Sequence, residues 1–370
     1  MTTTDDRPIV IVGCARSGTT LLQAMVHSHA RLTMPPENRF VIPVYRNRAT
    51  FGDLRDAASR DAVADAIIAR RAGKFADLGL DADAVRRRMH EVPPTIGSMI
   101  GAVLEAYAHR FGKQRWGDKR PNYIQSLDDV LALFPDAQIV HVIRDGRDCA
   151  ASLKRMPWWT FGYPASVYKW AHAIDVALEA RRDLRGDQYH EVRYEDLVSD
   201  PTAELTALCT FLGEPFDDAM LQHHRASAEK VPDYKDWHAK VHEPVTRSAV
   251  QRWRSDLDEQ ELKLFEYVAS RQLEAVGYEP ALSRLRRRPD RHTRLAYQAY
   301  ETDRQRREAD EAVRAAEVAD SYDQPVAAML TTGQRRLAHE HGFGHLLEDG
   351  GSSYGDGVSV PTSAGGAAPD

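Results

Sequence analysis

"IVIVGCARSGTTLLQAM", residues Ile9 to Met25, joins four branched aliphatics to a glycine, a short polar loop, a second glycine, two threonines and an amphipathic run. The pattern reads as a β-strand, a turn that presents backbone N–H groups, and a helix whose N-terminus favours an anion. Gly13 and Gly18 keep the G-x-x-x-x-G spacing of a phosphate loop, but Thr19 stands where a triphosphate loop carries its lysine. The cation here is Arg16, inside the turn, and no lysine–threonine pair is present to organise magnesium. The spacing by itself fits a tight turn as well as a binding site; the strand-loop-helix context favours the site. Thr19 and Thr20 add hydroxyl donors in the first helical turn. The expected ligand is a 5′-diphosphate-like group rather than a triphosphate.

Two further strands are expected from the apolar runs at Ala137–Ile143 and Tyr189–Tyr194. Between the strands lie helical patterns: the stripe Leu21, Leu22, Met25 and Val26; a run from Thr95 as N-cap to Gly112 as stop; and "SLDDVLALFPDA", opened by Ser126 and closed before Pro135. Such alternation implies an α/β fold, a P-loop-containing parallel sheet flanked by helices. Arg55–His90, rich in alanine and charge, reads as a helical insertion, and the inserted region spans about residues 50–115 of a domain covering 1–280. Residues 281–347 read as a charged helical extension, and 348–370 as a disordered Gly/Ser/Pro/Ala-rich tail. The extension sustains no heptad of large aliphatics, which favours a solvated helix over an oligomerisation arm, although a homodimer stays open.

With 370 residues, 42% of them hydrophobic, the chain can bury a full core. A net charge of −6 argues against a nucleic-acid binder held by a broad basic surface. No apolar run reaches the length of a bilayer span, and the polar N-terminus "MTTTDDRP" is unlike a secretory signal. Cys14, Cys149 and Cys209 share no metal-ligand spacing and read as reduced thiols, so a cytoplasmic, membrane-free location is expected.

The Ala137–Ile143 strand runs into "RDGRDCAAS", Arg144 to Ser152. An arginine at a strand's carboxyl end, with a hydroxyl two helical turns later, can clamp a phosphate at the ligand-binding edge of an α/β sheet. The same residues can also form a surface Arg–Asp network, and taken alone the two readings are balanced. Together with the first loop, the clamp is favoured, and two phosphate grips suit a nucleotide phosphorylated at two places.

"GCARSGTT" and "RDGRDCAAS" resemble the 5′-phosphosulfate loop and the 3′-phosphate motif of sulfotransferases that use 3′-phosphoadenosine 5′-phosphosulfate (PAPS). "VRYEDLVSDPTAELTALCTFLGEPFDD" is similar to that family's third recurring segment, and the wider pattern resembles protein-tyrosine sulfotransferases and related bacterial enzymes over roughly residues 9–280. The resemblance implies that Arg16, Ser17, Gly18, Thr19 and Thr20 hold the 5′-phosphosulfate, that Arg144 and Ser152 grip the 3′-phosphate, and that Tyr194 lies near the adenosine. It places Glu37, in "MPPENRF", at the position of the family's catalytic base. Lys119, in "RWGDKRPN", falls where the family has a cation beside the transferred group, and Arg39 would help place the acceptor. Without the resemblance, Glu37 reads as a solvated carboxylate and Lys119 as a lysine neutralising Asp118 on a surface turn.

The chemistry this implies is sulfuryl transfer to an alcohol or phenol. Fixed cations (Arg16, Lys119) would stabilise charge on the leaving oxygen, Glu37 would take the acceptor proton, and no metal is required. The products would be a sulfated acceptor and the desulfated nucleotide, PAP. "KRMPWWTFGYPASVYKW" crowds Trp158, Trp159, Phe161, Tyr163, Tyr168 and Trp170 into a loop-like segment. The first three could form a lid over the acceptor or a local hydrophobic cluster, and Trp170 reads as core. His339, His341 and His345 read as tail residues rather than a metal site. In "DWHAKVHEPVTRS", any of Lys240, Thr246, Arg247 or Ser248 could close over the nucleotide. The acceptor is expected to be a small hydroxylated molecule. Two other readings stay open: a P-loop kinase-like phosphotransferase, against which Thr19 speaks, and a non-catalytic nucleotide-binding protein.

Overall fold

Period-two alternation along β1 (Ile9–Gly13) sends Ile9 and Ile11 to one face of a sheet and Val10 and Val12 to the other, all of them buried. A computed structural model describes residues 6–69, 73–223 and 245–320. It places β1 at the centre of a five-stranded sheet of order β2-β3-β1-β4-β5, in which every pairing is parallel. The other strands are β2 (Leu32–Thr33), β3 (Arg115–Lys119), β4 (Gln138–Ile143) and β5 (Tyr189–Arg193). Ile11 pairs with Lys119 on one side, and Gly13 with Val142 on the other. The loops that follow these three strands therefore share one carboxyl edge, where ligands of open α/β sheets bind.

The helices in chain order are α1 (Thr19–Ser28), α2 (Val41–Arg46), α3 (Ala57–Ile68), α4 (Ala82–Glu91), α5 (Ile96–Arg110), α6 (Leu127–Leu133), α7 (Gly146–Leu153), α8 (Gly162–Asp183), α9 (Tyr194–Ser199) and α10 (Pro201–Leu212). Longer-range helices follow at Glu259–Ala275 and Arg291–Asp320. One sheet face is covered by α1, α9 and α10 through Leu22, Met25, Val26, Leu197, Leu205 and Leu208. The opposite face meets α5, α6, α7 and α8 through Val103, Leu104, Val130, Cys149 and Trp170, with Phe265 behind them. The expected α/β architecture is what the chain adopts.

Local signals account for most of the element ends. Thr95 caps α5 by accepting from the Ser98 N–H at 3.1 Å, and Gly112 turns the chain just beyond it with φ 64°. Ser126 precedes α6, but its side chain makes no cap bond. Two strands go beyond the sequence reading: β2 has only two residues, and β3, "RWGDK", has no branched aliphatic. The aromatic segment is also less loop-like than expected, because Tyr163, Tyr168 and Trp170 belong to α8. Trp170 is 1% exposed, as a core residue should be.

The described residues up to 305 belong to the first of two units, and 306–320 to the second. Within the first, the extension is anchored on α8: the Tyr168 ring lies 6.2 Å from that of Tyr300, and the Arg304 guanidinium sits 4.1 Å over it. Lys240, the three late histidines and the tail 348–370 lie outside the described residues. Among the described residues no helix is long and apolar enough to cross a membrane.

Candidate active site

The turn after β1 is built by backbone geometry that few residues tolerate. Gly13 (φ 154°), Arg16 (φ 75°) and Gly18 (φ 102°) all occupy positive φ, and Ser17 N–H closes the turn on the Cys14 carbonyl at 3.1 Å. A Cβ on Gly13 would meet the Val142 carbonyl at 2.7 Å and Ser17 Oγ at 2.9 Å; one on Gly18 would strike the Tyr194 ring at 2.4 Å. These glycines let the turn lie flat against β4 and against the start of α9. Of these three positive-φ residues Arg16 is the one that is not glycine, and its strained backbone fits a residue held for its side chain.

That side chain crosses to the second motif. Arg16 Nε donates to Ser152 Oγ on α7 at 3.1 Å, and Arg144 Nη1 donates to the Arg16 carbonyl at 2.9 Å. Arg144, at the end of β4, also donates to the Ala249 carbonyl, approaches Asp148 at 3.7 Å and lies 4.5 Å over the Tyr194 ring. The Trp170 indole N–H holds the Arg144 carbonyl at 3.0 Å from beneath. Residues 16, 18, 144, 152 and 194, singled out from separate parts of the sequence, thus meet in one cleft.

The electrostatics of this cleft call for an anion. Burial, and then the Arg144 guanidinium, push Arg16 below its ordinary value, with Arg155 adding in the same direction. The like cations are held by hydrogen bonds to Ser152 Oγ and to two carbonyls, with the Asp148 carboxylate 3.7 Å from Arg144. Two buried polar atoms also lack a protein partner, Ser17 Oγ and Arg144 Nε. Both are donors that a phosphate oxygen would satisfy, so the residues present fit a phosphorylated nucleotide.

On the other side of the turn, Lys119 is the last residue of β3, 1% exposed. Its Nζ forms a close ion pair with Glu37 Oε1 and reaches Thr20 Oγ1 at 3.3 Å. The surface-turn reading of Lys119 is therefore corrected, since a buried strand end presents it to the first turn of α1. Nor does Asp118 neutralise it directly; that carboxylate is bonded to the Asn38 amide, the Tyr123 hydroxyl and the Lys119 backbone N–H. Thr19 is buried, and Arg39 is exposed beside Glu37 with its backbone N–H on the Gly73 carbonyl at 2.9 Å.

Trp158, Trp159 and Phe161 form an edge-to-face ladder, with centroids 6.1 and 5.1 Å apart, just beyond α7. Trp158 and Phe161 are 42% and 57% exposed, too open for a buried hydrophobic anchor. In the late segment, Asp148 accepts the Gln251 and Trp253 N–H groups at 2.9 and 2.8 Å, which ties that segment to the second motif. Thr246, Arg247 and Ser248 are exposed there. Sequence reasoning missed the Asn38–Asp118–Tyr123 group and the Asp148 anchor; the available signal was an acidic residue adjoining named site residues, Asp118 beside Lys119 and Asp148 within "RDGRDCAAS".

Comparison with known proteins agrees with this geometry. A model described as the sulfotransferase family matches residues 8–218. Protein-tyrosine sulfotransferase of Drosophila melanogaster is 26% identical over 293 residues, covering 74% of this chain; the match spans 52% of that protein, about half its length. Protein-tyrosine sulfotransferase A of Caenorhabditis elegans is 25% identical over 279 residues, covering 74% of this chain and 67% of its own. The sulfotransferase domain of the Synechococcus PCC 7002 olefin synthase shares the fold, with a TM-score of 0.54 and 23% identity over 75% of this chain and 98% of that domain.

Proposed function

The chain belongs to the sulfotransferase family, and from that premise we propose that it transfers a sulfuryl group from PAPS to the hydroxyl of an alcohol or phenol, a small molecule or a tyrosine-like acceptor. The observation that carries the donor assignment is the meeting of Arg16 and Arg144 in one cleft, where each is within hydrogen-bonding reach of the other's motif. When bound, the donor supplies an SO3 group on a phosphate leaving group.

The chain's own residues divide the remaining work. The N–H groups and hydroxyls of residues 17–20, with Arg16, hold the 5′ end; Arg144 and Ser152 hold the 3′-phosphate, and Tyr194 backs the nucleoside. Glu37 takes the proton from the acceptor oxygen as that oxygen bonds to sulfur. Lys119 and Arg16 hold the negative charge that develops on the phosphate oxygen as its bond to sulfur breaks. Lys119 must then exchange its present partner, Glu37, for that oxygen. Arg39 and the Trp158–Phe161 ladder are the residues this reading assigns to the acceptor. The family names of the animal relatives favour a phenolic acceptor, and the exposed ladder is compatible with one.

Calorimetry with PAP against ATP–magnesium tests the donor. Tight binding of PAP alone is the expected result, and preferential binding of ATP–magnesium would overturn the assignment. Glu37→Gln should lower sulfuryl transfer by about 10²–10⁴-fold, the scale of a lost general base, at unchanged PAP affinity.

A further inference from the structure

Next to the Lys119–Glu37 pair lies a buried carboxylate that the transfer itself does not use. Asp118 is 3% exposed and precedes Lys119 on β3. Its Oδ1 accepts from Asn38 Nδ2 at 2.9 Å and from the Lys119 backbone N–H at 2.9 Å, and its Oδ2 accepts from the Tyr123 hydroxyl at 2.7 Å. Asn38 and Tyr123 are themselves only 1% and 2% exposed. Burial pushes the Asp118 carboxyl up, and the three hydrogen bonds and the Lys119 charge pull it back. Burial and the adjacent Asp118 charge push the Tyr123 phenol well above its ordinary value, so it remains a donor.

A buried carboxylate is a costly way to fill space, since apolar side chains of similar volume do so at least as well. What Asp118 does that they cannot is bond two specific partners at once. One is Asn38, the residue after the assigned base; the other is the backbone of the assigned cation. Glu37 and Lys119 attract each other, yet transfer needs them on different oxygens: the acceptor's and the leaving group's. A carboxylate bonded to the Asn38 side-chain amide and to the Lys119 backbone N–H keeps the Glu37 segment from following Lys119 when the ammonium turns away. Pro35 and Pro36 stiffen the approach to Glu37, and the Arg39 N–H is fixed on Gly73.

Resting on the sulfotransferase reading above, we infer that Asp118 is a positioning residue: through Asn38 and the Lys119 amide it sets the base and the leaving-group cation in register. Asp118→Asn keeps the shape but removes the charge and turns one acceptor into a donor; Asn38→Ala cuts the arm to Glu37 without altering β3. Each should lower kcat for transfer from PAPS to p-nitrophenol by about 10–100-fold, the scale of a small misplacement of reacting groups, and leave PAP affinity unchanged. In a Glu37→Gln background Asn38→Ala should cost little more, because it acts through that base. Hydrogen exchange of the unliganded protein supplies a readout independent of any acceptor: peptides covering residues 34–40 should lose protection in both variants, and those covering residues 9–20 should not. Unchanged exchange at 34–40, or a loss in Asn38→Ala that simply adds to that of Glu37→Gln, would overturn the inference. If Asp118→Asn fails to fold, Asn38→Ala decides alone. A wild-type protein that does not bind PAP defeats the donor reading instead, a result distinct from either.

Discussion

On the β4 side of the central strand, Arg144 is held by the Arg16 and Ala249 carbonyls and flanked by Asp148, whose oxygens already receive the Gln251 and Trp253 N–H groups. On the β3 side, Lys119 and Glu37 hold one another. The first arrangement can meet an anion without rearranging; the second must break a charge pair before either member can act. Fixed donors give binding energy in the ground state, whereas partners that separate as charge develops give it in the transition state. The β4 side is therefore the grip, and the β3 side the chemistry.

The largest effect expected of this division is at Lys119. Lys119→Ala should lower kcat by about 10²–10³-fold, the scale of losing one preorganised donor to a developing anion. PAP affinity should change little. Initial rates with labelled PAPS, alongside calorimetry with PAP, separate the two quantities. A loss of PAP affinity equal to the loss of rate would move the β3 side into the grip and erase the distinction.

Arg144→Ala should show the converse. Removing a charge-assisted contact is expected to weaken PAP binding by roughly 1.5–3 kcal/mol, and turnover at saturating donor should fall less. Arg144 also supports the Arg16 carbonyl, so part of the loss comes from loosening the turn after β1. Arg144→Lys sharpens the point: it keeps the charge but cannot reproduce the planar fork that reaches Arg16 and Ala249 together. Calorimetry showing equal affinity for all three proteins would remove Arg144 from the donor site.

The same two sides differ in how far the sequence disclosed them. β1 and β4 carry buried runs of branched aliphatics, and β5 a buried tyrosine and valine, so all three read as strands without knowledge of their partners. β3 carries Arg115, Asp118 and Lys119 instead, and each is matched by a residue distant in sequence: Glu214 for Arg115, Asn38 for Asp118, Glu37 for Lys119. Of the partners of Asp118 only Tyr123, five residues on, falls in a local window, and "RWGDK" therefore reads as a charged turn. The turn and the arginine motif disclosed Arg16, Gly18, Arg144 and Ser152 by resemblance, and in the turn the spacing is set by backbone geometry at Gly13 and Gly18. Asn38 and Tyr123 gave no comparable signal, because a polar residue after two prolines and a tyrosine in a short turn are ordinary surface patterns. The aromatic segment misled differently: Gly162 and Pro164 look like loop residues but stand at the N-terminal end of α8, where proline is well tolerated.

The expected effect furthest from the chemistry concerns the scaffold under each side, and there the two respond to acid with opposite sign. His141, in the middle of β4, is 1% exposed; its Nδ1 shares a hydrogen bond with the Tyr189 hydroxyl at 2.9 Å, and its Nε2 is buried without a partner. Burial, then the Arg181 charge, lowers it from 6.5 to about 3. The unfolded chain therefore takes up a proton at this histidine that the folded one refuses. Its contribution is fully present above pH 6.5 and is lost as pH falls toward about 3, at up to about 1.4 kcal/mol per pH unit. Asp118, under the β3 side, is raised by burial, so its burden is heaviest at neutral pH and is relieved as pH falls. Urea denaturation of the wild type and His141→Gln across pH 7 to 4 isolates the first term, because every other group titrates alike in both proteins. The wild type should lose stability faster on acidification, and two parallel curves would mean that β4 carries no buried neutral imidazole, leaving the grip no more rigidly founded than the charge pair opposite.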